Sequence, residues 1–265
     1  MSLALHHMDF IFQTKIGTYA LDSQCEMLAE AGYQGITVSA WSQELSLLPK
    51  VKERWDIDVA SMYLIYRPGL EKFVTDIFDS IEGVSRIELA LHSGSKIEDA
   101  DRHLLAQLLP ICEQRGIEIA LYPHIRYGMQ STTEAVMLCR EFQHDKLGIV
   151  FNGYHWFAMQ EKRLEQRLDA VWPWIKQVNM AGCSLSPLGW GGVATIEPLD
   201  SGEMDNFVLL GSLKRRNYEG RIGVLGWEGM GGDVYGNLVR SQQAFRKMEL
   251  RVNAHPEWTR MISAN

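Results

Sequence analysis

The sequence predicts an α/β fold, a single (β/α)8 barrel, and three observations carry that reading. Short apolar runs alternate with segments of helical period from one end of the chain to the other. The apolar runs with strand character number eight. No Pro- or Ser-rich linker interrupts the series, so residues 1–265 are taken as one domain, with a tail from about residue 251 whose role is not readable. The rival architecture is an open doubly wound sheet, but its G-x-G-x-x-G phosphate loop after the first strand is absent.

The elements follow in order. The first strand is placed on the apolar run Phe10–Gln13. Ser23 and Glu26 have capping-box spacing for a first helix. Gly32-Tyr33-Gln34-Gly35 then hands over to a second strand at Gly35–Val38, the leading glycine tolerating the positive φ that ends a helix. Strands three and four are Val59–Leu64 and Arg86–Leu91. Leu104, Leu105, Leu108, Leu109 and Cys112 form one apolar helical face, closed by Gly116 ahead of strand five at Ile117–Leu121. Ser131 and Glu134 open the next helix, whose core face is Ala135, Leu138, Cys139 and Phe142. Strands six and seven are Gly148–Phe151 and Gln177–Met180. Lys214-Arg215-Arg216 suits a helix C-terminus, where cations complement the dipole. Asn217-Tyr218-Glu219-Gly220 repeats the earlier joint before strand eight, Ile222–Leu225.

Composition narrows the class. With 46% hydrophobic and 22% charged residues the chain can bury a large core and has no case for disorder. A net charge of −7 with only short basic clusters argues against nucleic acid as partner. Cys25, Cys112, Cys139 and Cys183 lack metal-like spacing and read as small core residues in a reducing compartment. The N-terminus has no signal-peptide pattern and no run reaches membrane-spanning length, so a cytoplasmic protein with no membrane partner is expected. The oligomeric state is not legible.

A barrel of this kind places its site at the C-terminal ends of the strands. His92 follows strand four, Tyr122 and His124 end strand five, Asn152 and His155 follow strand six, Asn179 lies in strand seven and Gly226-Trp227-Glu228 follow strand eight. Residues two apart in extended backbone share a face, which pairs Tyr122 with His124 and Gly226 with Glu228. Three histidines therefore converge from three strands. His6, His7, His103, His144 and His255 fall in the terminus, on helices or in the tail, and are given solvated or structural roles.

These residues resemble the xylose isomerase-like barrels, the sugar isomerases and epimerases that also include the endonuclease IV type of enzyme. The most specific stretch is Glu197-Pro198-Leu199-Asp200-Ser201-Gly202-Glu203-Met204-Asp205 with Leu213-Lys214 and the Asn217–Gly220 joint, supported by the order GIEIALYPHI, GIVFNGYHW, QVNMAG and IGVLGWEG. The resemblance implies a TIM barrel, a carbohydrate-like small-molecule ligand and a divalent metal held by Glu, Asp, His and Glu from strands five to eight. By position those ligands fall on Tyr122, Asn152, Asn179 and Gly226, none of the expected type. Neutral amides and a phenol are poor replacements for anionic oxygens around a hard cation, so no metal or other cofactor is expected. His155 matches the histidine of the family's "DxxH" motif. The reading is a sugar, sugar-phosphate or polyol isomerase or epimerase with a degenerate metal site. His155, His124 and Glu228 are its candidate catalytic groups, and His92, Tyr122, Asn152, Asn179, Trp156, Trp190 and Trp227 its candidate substrate contacts. Two alternatives stand beside it: a non-catalytic carbohydrate-binding relative, and a metal enzyme with relocated ligands among His92, His124, His155 and Glu228. The glycines of 226–232 and the segment Ser186–Gly192 suggest two mobile rims.

Overall fold

A computed structural model describes residues 2–261. Eight parallel strands close into a barrel: β1 (Leu5–Met8), β2 (Gly35–Ser39), β3 (Asp58–Tyr66), β4 (Arg86–Leu91), β5 (Glu118–Leu121), β6 (Leu147–Asn152), β7 (Ile175–Met180) and β8 (Ile222–Val224). Each pairs with its sequence neighbours, and β1 closes the ring by pairing with both β8 and β2. The outer layer comprises α1 (Leu21–Glu30), α2 (Leu48–Trp55), α3 (Glu71–Ser80), α4 (Asp99–Arg115), α5 (Thr132–Phe142), the short α6 (Gly153–Ala158), α7 (Leu164–Val171), α8 (Asn206–Arg215) and α9 (Val234–Ala254). Alternation along the strands sends Ile87, Leu89, Ile119, Leu121, Ile149 and Phe151 into the core between barrel and helices, all fully buried.

The first strand is a correction. Phe10–Gln13 is not a strand: Asp9–Phe12 forms a 3-10 turn, and Gln13–Thr14 pairs only with Gly17–Thr18 in a small antiparallel hairpin. The barrel strand is Leu5-His6-His7-Met8, whose two central imidazoles disguise it as polar. Both are nevertheless buried, at 0% and 1% exposure, so of the solvated or structural roles expected for His6 and His7 the solvated one is excluded. Burial pushes the His6 pKa down to about 3, with Arg221, His7 and Arg86 adding to the effect, and that of His7 down to about 4.

Local signals fare better from α4 onward. Gly116 closes α4 with φ 70°, and Asn217 adopts φ 54° after α8. Ser131 and Glu134 form the expected capping box of α5, Ser131 Oγ accepting from Glu134 N while the Glu134 carboxylate accepts from Ser131 N. Ser23 instead lies inside α1, whose N-cap is Ala20. Lys214, Arg215 and Arg216 at the end of α8 pair with Glu249, Glu165 and Asp169. All four cysteines are buried and unpaired. The last helix runs beyond residue 251 to Ala254, and Thr259 packs against Gly211 of α8, so the tail is docked; residues 262–265 lie outside the described residues.

The barrel floor carries a polar chain. The Thr37 and Ser61 hydroxyls lie 2.7 Å apart, Ser61 Oγ donates to Glu88 Oε1 at 2.5 Å, Asn179 Nδ2 donates to Glu88 Oε2 at 2.9 Å, and Gln177 Nε2 donates to Asn179 Oδ1 at 3.1 Å. These bonds join β2, β3, β4 and β7 across the interior. Burial raises the Glu88 pKa, and the Ser61 and Asn179 bonds oppose the rise.

Candidate functional site

The mouth of the barrel is organised by the turn after β6. Asn152 is the last residue of that strand and the N-cap of α6. Its Oδ1 accepts from His155 N at 3.2 Å, while its Nδ2 donates to Tyr122 Oη on β5 at 2.5 Å. The amide supplies an acceptor for the helix end and a donor for the phenol, a pairing that an ionised carboxylate, which only accepts, lacks. This bond fixes His155 in the first turn of α6 and brings it over Tyr122, ring centroids 5.4 Å apart.

His155 and His124 then meet with ring centroids 4.1 Å apart, at 4% and 7% exposure. One residue orients both. His124 Nδ1 lies 2.8 Å from the Ile125 carbonyl oxygen, so it carries the proton and donates, leaving Nε2 as an acceptor. His155 Nδ1 receives the Ile125 N–H at 3.4 Å, so it is the unprotonated nitrogen, and the proton sits on Nε2. Burial pushes the His124 pKa down to about 3, with the His92 charge adding to the effect and the Ile125 carbonyl opposing it. Burial and the neighbouring His124 hold His155 well below the usual imidazole range. Two neutral imidazoles thus stand together, one offering a lone pair and the other an N–H.

Tyr63, Tyr122, Trp190, Trp227, Phe10 and Leu225 complete a cavity of about 50 Å³ around the pair. Trp190 stands edge-on to His124 at 4.8 Å. It is carried by the extended segment Leu185–Trp190, which folds back through bonds from Ser186 N to Val193 O and from Val193 N to Trp190 O. The rim expected at Ser186–Gly192 is therefore a hydrogen-bonded hairpin that closes the mouth with an indole.

The remaining expected contacts divide. Tyr122, Trp190 and Trp227 line the cavity. His92 lies one ring further out, stacked on Tyr127 at 4.1 Å, which in turn stacks on His124 at 3.8 Å. Asn179 belongs to the floor through its bond to Glu88. Trp156 packs against Phe151 at 6.3 Å on the outer side of the barrel wall, and Glu228 is exposed on a 3-10 turn beside a surface depression with Lys15 and Ile16. The structure does not bring Trp156 or Glu228 to the histidines, because α6 turns the first outward and the turn after β8 leaves the second on the rim.

Two buried carboxylates were missed. Glu88 is the one polar residue in the apolar run Ile87–Leu91, and an acidic residue inside such a run is itself a signal of a satisfied interior group. Asp9 follows β1, which its histidines had hidden. It is 6% exposed, accepts from Ser39 N at 2.7 Å and from Ser39 Oγ at 2.6 Å, and burial raises its pKa to about 6.

The donor set does not fit the family's divalent ion. Tyr122 and Asn152 are committed to each other, and Asn179 to Glu88. A Cβ on Gly226 would meet His7 Cε1 at 2.8 Å and Ile11 Cβ at 2.9 Å, so no side chain reaches the mouth from there. Among the described residues no group of three or more His, Cys, Asp or Glu converges as a metal site, which includes the relocated set His92, His124, His155 and Glu228.

No curated sequence matches the chain. Among solved structures, D-allulose 3-epimerase from Methylomonas sp. in complex with D-allulose is 13% identical, with 93% of this chain and 97% of that chain covered and a TM-score of 0.73. The 3-keto-D-glucoside 4-epimerase from E. coli is 14% identical, covering 94% and 100%, with a TM-score of 0.71. The probable 3-DHS dehydratase of petrobactin synthesis from Bacillus anthracis is 12% identical, covering 92% and 99%, with a TM-score of 0.69. At these identities the likeness is one of fold. A family model described as xylose isomerase-like TIM barrel matches residues 83–247, and the chain belongs to that family.

Proposed function

We propose that this barrel acts on a carbohydrate-like carbonyl compound as an isomerase or epimerase without the family's divalent metal, with His124 and His155 as the proton-transfer pair. The observation that carries the reading is the opposite tautomers of two touching imidazoles at the C-terminal mouth. His124 Nε2 takes a proton from the carbon beside the substrate carbonyl. His155 Nε2–H donates a hydrogen bond to the carbonyl oxygen, where negative charge develops, and a neutral imidazole is competent for that role. Return of the proton from His124 to the opposite face of the same carbon, after the bound enolate has turned that face toward it, gives the epimer. Delivery to the former carbonyl carbon, with the adjacent hydroxyl passing its proton to the former carbonyl oxygen, gives the isomer. With its pKa held down, His124 stays unprotonated across the neutral range but is a weak base, so turnover is expected to be slow and flat with pH there.

A cavity of about 50 Å³ is far below the roughly 300–1,000 Å³ of ordinary ligand sites, so substrate entry requires the Trp190 hairpin to swing out. Two structural neighbours, one with D-allulose bound and one a 3-keto-D-glucoside 4-epimerase, support the carbohydrate class. The test is incubation with a panel of ketoses and aldoses in D2O, with and without chelator. Deuterium entering the carbon next to the carbonyl, unaffected by chelator and lost in both His124→Gln and His155→Gln, is the expected result. Sugar binding without exchange would instead mark a carbohydrate-binding relative, the reading that the replaced metal positions favour.

A further inference from the structure

A second cavity lies on the same face of the barrel, and the proton-transfer site does not use it. Phe10 and Trp41 stack at 6.1 Å with planes 7° apart. Phe10 walls the histidine cavity, whereas Trp41, 47% exposed, walls a cleft of about 500 Å³ bounded by the ends of β1 and β2 and the start of α1. Its volume lies within the range of small-molecule sites.

The lining is rich in acceptors. Asp9 and Glu44 bring carboxylates, Ser39 and Ser42 hydroxyls, and no Lys or Arg lines the cleft. Gln24 is the independent observation. It is 6% exposed and lines the cleft, its Nε2 donates to the Tyr19 carbonyl at 2.7 Å, and its Oε1 has no hydrogen-bond partner. A buried carbonyl without a donor costs on the order of 1–3 kcal/mol, and a ligand N–H or O–H would recover it once the side chain shifts to bring the oxygen, itself out of solvent contact, to the cleft. An indole face beside two carboxylates and an orphaned acceptor suits a cation that also carries hydrogen-bond donors, since cations are attracted to the ring face and ammonium groups only donate.

We infer that this cleft binds the protonated primary amine of a small hydroxylated compound, with Trp41 against the cation, Asp9 and Glu44 neutralising it and Gln24 Oε1 accepting one of its donors. The site goes beyond the proposed proton transfer and does not depend on it. Asp9, Glu44 and Tyr19 are the titratable groups lining the cleft, and the raised pKa of Asp9 means that its charge, and with it affinity for the cation, develops as pH rises through about 6.

The experiment is calorimetric titration of the full chain with glucamine and with sorbitol, the same polyol with hydroxyl in place of amine. Glucamine is expected to bind at least about tenfold more tightly than sorbitol, and more tightly at pH 7.5 than at pH 5. Trp41→Ala, a change at an exposed ring, is expected to weaken it about fivefold, in line with a cation–π contact at a partly exposed site. Asp9→Asn, which keeps both Ser39 bonds with its hydroxyl rotated to accept, is expected to abolish the pH dependence. Equal affinities for the two polyols, absence of glucamine binding, or glucamine affinity unchanged in Trp41→Ala would each overturn the assignment.

Discussion

Asp9→Asn has a second, quantitative consequence that needs no ligand. The buried carboxyl is raised from 3.8 to about 6, a shift of about two units. At 1.36 kcal/mol per unit, keeping it ionised above both values costs the folded state about 3 kcal/mol. The sign follows from linkage: a raised carboxyl contributes stability that is complete below the unfolded pKa near 4 and is lost as pH rises through the folded pKa near 6. Asparagine carries no such loss, and it satisfies the same partners, with Oδ1 accepting from Ser39 N and Nδ2 donating to Ser39 Oγ. The variant is therefore expected to be more stable than the parent by about 3 kcal/mol at pH 8 and by only about 1 kcal/mol at pH 4.5. Urea denaturation of both proteins at half-unit steps between these pH values measures the gap directly. A gap constant with pH, or one widening toward acid, would refute the claim that burial governs this carboxyl.

The other expectations concern the mouth. Asn152→Ala removes the cap of α6 and the partner of the Tyr122 hydroxyl together, for a loss of about 2–3 kcal/mol by denaturation, and Tyr122→Phe in that background should cost less than it does alone. With His124 lowered from 6.5 to about 3, the unfolded chain takes up a proton that the folded one refuses, so stability falls with acid. His124→Gln should consequently lose about 2 kcal/mol less than the parent between pH 7 and pH 5 in the same denaturation series. Gly226→Glu, which reinstates the family's residue type, should destabilise by about 1–3 kcal/mol and confer no divalent-ion-dependent shift of Tm, because its Cβ meets His7 and Ile11.

The strand and helix rhythm was legible wherever one side of a strand was plainly apolar, as in Arg86–Leu91 and Gly148–Phe151. It failed at β1, since Leu5-His6-His7-Met8 hides a fully buried strand behind two imidazoles while the following Phe10-Ile11-Phe12 imitates one. Asp9 was lost with that strand. At the site, spacing from strand ends located Tyr122, His124, Asn152 and His155, because the barrel fixes which end of a strand opens on the mouth. Glu228 and Trp156 could not be placed by the same rule. Both lie four residues past a strand end, where the backbone is no longer extended: Glu228 begins a 3-10 turn and Trp156 sits in a helix, so strand geometry does not carry that far. The tautomers were beyond reach for another reason, since they depend on where a main-chain N–H and carbonyl point.

That dependence gives the site an unusual kind of durability. Both imidazole tautomers are set by the backbone of Ile125, one through its amide and the other through its carbonyl. Any residue but proline at position 125 presents the same two groups, so the polarity of the pair is indifferent to side-chain drift there. Reversing it would take a rotation of the chain between Tyr122 and Tyr127, which is tied down by bonds from His124 N to Met129 O and from Tyr127 N to His124 O. The rings are free to acquire new neighbours as Trp190 and Trp227 change, but which of them offers a hydrogen and which a lone pair is fixed by the loop.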